Sequence, residues 1–84
     1  MTDEQKSRIQ EKHGSLVGAW SPFDVLEIPG NATRAEALAA YFKLSATYHP
    51  DRYFGKDIGD FRRMLEEIFD RLTWAKDTLD EMLP

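Results

Sequence analysis

The sequence predicts an all-α fold: an antiparallel helical hairpin, a short helix preceding it, and an additional helix at the amino terminus. Three observations carry this prediction. Phe61, Leu65, Ile68, Leu72, Ala75, Leu79 and Met82 recur at spacings of 4, 3, 4, 3, 4 and 3, which marks one long helix with a single apolar seam. Thr2 with Gln5 and Thr33 with Glu36 are capping boxes, each announcing a helix start. No period-two alternation survives more than a few residues, so no strand is expected.

The first helix runs from the Thr2 cap to Gly14. Ile9 is its one strongly apolar residue, so docking is expected to rest on Leu16, Val17 and Trp20 just beyond it. Residues 1–20 therefore read as an extra helix and connector, and residues 21–84 as the main unit. The second element lies between Pro22, a favoured first helical residue, and the closing pair Pro29-Gly30. It has room for about two turns, with Phe23, Leu26 and Ile28 facing the core.

The third helix starts at Thr33, with Asn31 as a competing cap, and runs about four turns. Ala37, Leu38, Tyr41, Leu44, Ser45 and Tyr48 recur along it, and its alanines allow a neighbour to approach closely. Pro50 ends it: the ring forces His49 out of the helical region, so the helix stops at about Tyr48. A loop from Tyr53 to Gly59 follows, and Asp60 is expected to cap the long helix. Tyr53 and Phe54 are expected to cover the open end of the hairpin. Trp74 sits roughly 120° off the apolar seam, so Met64, Trp74 and Met82 are expected to meet the amino-terminal helix.

Composition narrows the function classes. With 84 residues the chain is at most one domain, and it contains no cysteine, which removes disulfides, zinc-thiolate sites and thiol nucleophiles. The acidic, polar start and the lack of any apolar run near about 20 residues argue against a signal peptide and a membrane anchor. A cytoplasmic monomer is the expectation. Fifteen acidic residues against eleven basic ones give a net charge of -4, the wrong sign for neutralising nucleic-acid phosphates. Nucleic-acid binding is thus disfavoured, although a local basic patch is compatible with the net charge.

The run Tyr48-His49-Pro50-Asp51-Arg52 presents an imidazole and a carboxylate at the bend where the third helix ends. With these flanks the chain resembles a J domain, the module of DnaJ-type co-chaperones, from about Ser21 to Glu81. Phe23-Asp24-Val25-Leu26 is similar to the family's first short helix. Ala40-Tyr41, Leu44 and Tyr48 are similar to its second helix, and His49-Pro50-Asp51-Arg52 to its signature loop. Phe69, Leu72, Ala75 and Leu79 follow the spacing of its third helix, after a longer loop and helical lead-in.

The resemblance implies binding to a DnaK-type (heat-shock-70) chaperone through His49, Pro50, Asp51 and Arg52, with Tyr41, Lys43 and Tyr48 in support, and stimulation of that chaperone's ATP hydrolysis. No catalytic residue, cofactor or metal site is implied in the chain itself, and other domains of a longer parent protein are possible partners. Three departures stand beside it. Leu38, Ala39, Phe42 and Thr47 occupy places that are often basic in the family, leaving Arg34 and Lys43 on the helix and Arg52, Lys56, Arg62 and Arg63 as substitutes near the tip. Lys76 replaces a common Tyr, and no counterpart of the family's short fourth helix precedes Pro84, so the module is either trimmed or a piece of a longer protein.

Three other readings of the loop exist, the plainest of which makes His49 only a turn residue at the helix carboxyl end, where an imidazolium is favoured by the dipole. Acid-base catalysis or metal binding by His49 and Asp51 lacks company, because His13 is the only other histidine. A J-like docking or scaffold module that stimulates no chaperone is the rival class, favoured by the depleted basic face. The intact His49-Pro50-Asp51 triplet opposes it, since nothing in hairpin packing demands those three residues together.

Overall fold

A computed structural model describes residues 1–84 and contains four α-helices: α1 (Asp3–Ser15), α2 (Pro22–Val25), α3 (Arg34–Tyr48) and α4 (Phe61–Met82). Short 3-10 turns follow α1 at Leu16–Gly18 and α3 at Pro50–Tyr53, and there is no strand. The all-α expectation holds. Arg34 meets Asp80, Tyr41 meets Lys76, and His49 meets Phe69, a descending series that makes α3 and α4 antiparallel.

The seam of α4 is the core. Leu65, Ile68, Leu72, Ala75 and Leu79 are all fully buried, and α1, α2, α3 and the turn at Pro50–Tyr53 all pack on this helix. The seam ends sooner than its pattern does. At about 1.5 Å per residue the 22 residues of α4 outrun the 15 of α3, so Phe61 is only half-buried and Met82 is exposed.

On α3, Ala37, Ser45 and Tyr48 are buried, and Ala40, Tyr41 and Leu44 pack partly against the core. Leu38 departs from the expectation: it faces solvent, because it lies on the side of α3 turned away from α4. Both capping boxes form as expected, and Thr33 rather than Asn31 is the cap of α3. Asp60 does not cap α4. It has helical backbone angles and no side-chain cap, and the start is reached through Gly59 at φ +56°, whose N–H donates to Asp57 Oδ1 at 3.2 Å.

α2 is one turn, shorter than expected. Glu27 adopts a left-handed backbone (φ 59°), while its N–H and that of Ile28 donate back to Asp24 O and Phe23 O, closing the helix before Pro29 is reached. Val25 and Leu26 are buried at its end. A glutamate in this conformation costs about 1–2 kcal/mol, and α1 supplies the compensation. Lys12 Nζ donates to Val25 O at 2.7 Å and to Glu27 Oε2 at 3.0 Å, from a side chain only 5% exposed.

That lysine corrects the expected docking of α1. Val17 and Trp20 are exposed; the contacts come from Ile9, Lys12 and the half-buried Leu16 on one face of the helix. Lys12 follows Ile9 by three residues, so its alkyl stem continues the stripe that Ile9 begins. Two further ties join α1 and its connector to α4: His13 bonds to Glu67, and Arg71 donates to Ala19 O at 3.0 Å. Ile9 and Ala19 thereby join the same core as the hairpin. Trp74 is not covered by α1; the Arg71 guanidinium lies over its ring at 4.4 Å and shields one face.

Replacing Lys12 by Met should lower folding stability by about 1–3 kcal/mol, since it strands a buried carbonyl and unbalances Glu27. A urea titration would show a lower midpoint at unchanged slope, whereas Glu4→Gln, which breaks only an exposed pair with Arg8, should leave the midpoint nearly unmoved.

Bonding to His13, and then to Arg63, holds the Glu67 carboxyl below the usual carboxylate range. A carboxyl lowered on folding stabilises fully above its unfolded value of about 4.3 and loses that contribution as pH falls through the folded value. Thermal unfolding followed from neutral to acid pH should therefore show a shallower acid decline for Glu67→Gln than for the wild type.

Candidate functional site: the loop after α3

Helix α3 ends because Pro50 leaves His49 extended, at φ -65° and ψ 128°. Pro50 then opens the 3-10 turn as its first residue. His49 Nδ1 accepts the Asp51 N–H at 3.1 Å, so the imidazole caps the turn that follows it. With Nδ1 occupied as an acceptor, Nε2 is the ring nitrogen left with a hydrogen to donate. The Asp51 carboxylate lies 3.8 Å from Nδ1 and is 85% exposed. Imidazole donor and carboxylate acceptor are thus held within one turn of chain.

The ring of His49 has a second support. Its edge meets Phe69 of α4 with centroids 4.6 Å apart and planes at 63°. Backbone bonds fix the rest of the loop: Arg52 N–H donates to His49 O and Phe54 N–H to Asp51 O, both at 3.1 Å. Arg52 also reaches back, its Nη1 donating to Ala46 O at 3.1 Å and satisfying a carbonyl in the last turn of α3. Tyr53 plugs the underside and is buried, while Phe54 is 85% exposed. The expectation that both aromatics cover the hairpin end thus holds for Tyr53 alone. Gly55 at φ +78° turns the chain toward α4.

The seven residues singled out from the sequence divide into three groups. His49, Pro50, Asp51 and Arg52 are together at the tip. Tyr41 is two turns back on α3, half-buried beside Phe42, with the Lys76 ammonium 5.1 Å from its ring. Lys76 also pairs with Asp77. Lys43 is exposed and makes no ion pair within the chain.

Tyr48 differs from a surface contact: it is buried beneath the loop, among Arg8 and Lys12 of α1 and Glu27 after α2. Burial, and then the charge of Glu27, push its phenol above the ordinary value. Tyr48 acts on the loop from below, as a wedge joining α1 and α3.

The cations expected to replace a basic helix face are mostly engaged. Arg52 holds Ala46 O, Arg62 holds Lys56 O, Arg63 pairs with Glu67 and Arg34 with Asp80. Lys43 and Lys56 have no such partner. No group of three or more His, Cys, Asp or Glu side chains comes together that could hold a metal ion. No helix is long and apolar enough to cross a membrane.

Sequence reasoning missed two supports of this site. The contact between His49 and Phe69 was invisible because the two lie 20 residues apart (69 minus 49) on different helices. The bond from Arg52 to Ala46 O was invisible because arginine near a turn reads first as a surface charge.

No protein-family model matches the chain, and no solved structure does. Over 79 residues, 94% of its length, the chain is 34% identical to a protein of Dictyostelium discoideum named "DnaJ homolog subfamily C member 11 homolog". The aligned region is 13% of that relative, so the chain spans only a small part of its length. The similarity to a DnaJ-type protein thus rests on nearly all of this chain and on a minor portion of the relative.

Proposed function

We propose that this chain is a J-domain-like co-chaperone module that docks on a DnaK-type chaperone and promotes its ATP hydrolysis. The observation that carries the reading is the braced loop: His49 and Asp51 are held in one turn by the Asp51 N–H bond, the Phe69 contact and the Arg52 tie. A loop restrained from three sides loses little freedom on binding, so its contacts are spent on the partner rather than on ordering the chain. The similarity to a DnaJ-named protein along 94% of the chain supports the same reading.

The bond-breaking chemistry belongs to the chaperone, and no residue of this chain enters it. His49 and Asp51 act through a donor and a carboxylate offered to the partner's hydrolysis-competent state, and stimulation requires that they bind that state more tightly than the other. Pro50 aims them, and Phe69, Tyr48 and Tyr53 position them from beneath. Of the two cations of α3, Arg34 is paired with Asp80 and Lys43 alone is free for steering, which predicts slow association.

A second reading, a docking module without stimulation, is favoured by one observation: Leu38 and Phe42 expose apolar surface on α3. Single-turnover ATP hydrolysis by DnaK-type chaperones separates the two. The wild-type chain should accelerate hydrolysis, and His49→Gln, which lacks the imidazole but leaves the core intact, should lose about tenfold or more of that acceleration, or ~1.4 kcal/mol of barrier lowering. Equal rates with wild type, variant and no added domain across a panel of chaperones would give the docking module the lead.

A further inference from the structure

The outer face of α3 is unlike that of the other long helices. α1 and α4 turn charged residues to solvent along most of their exposed length, whereas α3 exposes Ala35, Leu38, Ala39, Phe42 and Ala46 in a continuous strip. Phe42 is 61% exposed and Leu38 44%. Neither side chain finds cover within the chain.

Arg34, tied to Asp80, borders one edge of the strip, and two charges, Glu36 and Lys43, border the other. Seven residues apart (43 minus 36), they lie within about 20° of each other around the helix, on one edge of it. Glu36 gives one oxygen to Thr33 N–H at 2.9 Å, while Lys43 has no ionic partner in the chain. When two copies of such a helix pack antiparallel about a twofold axis, each edge faces the same edge of the other copy with the order reversed. A crossing centred between Ala39 and Ala40 then sets Glu36 opposite the partner's Lys43, and Lys43 opposite the partner's Glu36. Ala39 lies at the crossing, where a small side chain lets the axes approach to about 8 Å, and Leu38 and Phe42 cover one another on either side.

We infer that α3 is a self-association surface, on which a second copy of this chain packs antiparallel through Leu38, Ala39 and Phe42, with two reciprocal Glu36–Lys43 ion pairs fixing the register. The inference is independent of the chaperone reading, because self-association is measured on the chain alone. Were both to hold, the dimer would cover α3 beside the loop and compete with chaperone docking.

Sedimentation equilibrium of the full chain, from micromolar to millimolar concentration, tests it. The wild type should follow a monomer–dimer equilibrium, and Phe42→Lys should remain monomeric with an unchanged helical circular dichroism spectrum. Lys43→Glu and Glu36→Lys should each weaken the dimer roughly tenfold by turning both ion pairs repulsive, and an equimolar mixture of the two should regain the lost affinity. The mixture reads pairing rather than folding, since Thr33 Oγ1 still caps α3 in both variants through the residue 36 N–H. A wild type monomeric to millimolar concentration, or a mixture no tighter than its components, would overturn the inference. The first outcome would leave another protein as the occupant of the strip.

Discussion

Burial of the α4 seam is the interaction on which the rest of this structure depends. Leu65, Ile68, Leu72, Ala75 and Leu79 are fully buried, and each of the other helices reaches the core by covering part of this row. Each buried Leu or Ile of the row contributes about 1.5–3 kcal/mol, and no other helix gives the core as many buried residues. Its consequence is geometric. Once α4 is the common wall, α3 must run antiparallel to it, and the break after Tyr48 must fall beside the first turns of α4, where Phe69 supports His49.

The loop itself is built by opposition. Pro50 stops α3 by exclusion, and the backbone groups freed by that stop are satisfied locally: His49 Nδ1 takes the Asp51 N–H, and Arg52 takes Ala46 O. Beneath them Tyr48 and Tyr53 are buried, with α1 lying against the same region through Arg8 and Ile9. The added helix is thus not an appendage. It closes the underside of the loop, and through Lys12 it holds the strained end of α2.

Charge is distributed according to the same packing. Near the tip, Arg52 and Arg62 are tied to backbone carbonyls and Arg63 to Glu67, ties that rigidify the loop and its approach to α4. The outer face of α3 is left short of charge and rich in apolar surface.

How much of this was legible in the sequence follows from the range of each interaction. Both capping boxes, the end of α3 at Pro50 and the buried row of α4 are local or periodic properties, set by side chains within a few residues of one another, and they formed as read. The bend that carries the His49-Pro50-Asp51 triplet was legible for the same reason. What tertiary structure alone decided were the choices between equivalent local options. Lys12 rather than Val17 or Trp20 docks α1, because Val25 O and the Glu27 carboxylate lie where its ammonium ends. Glu27 rather than Pro29 closes α2, Phe54 is left outside while Tyr53 goes in, and Leu38 faces solvent despite its place in an apolar pattern. Each of these depends on a partner far along the chain, and periodicity carries no information about that partner's position.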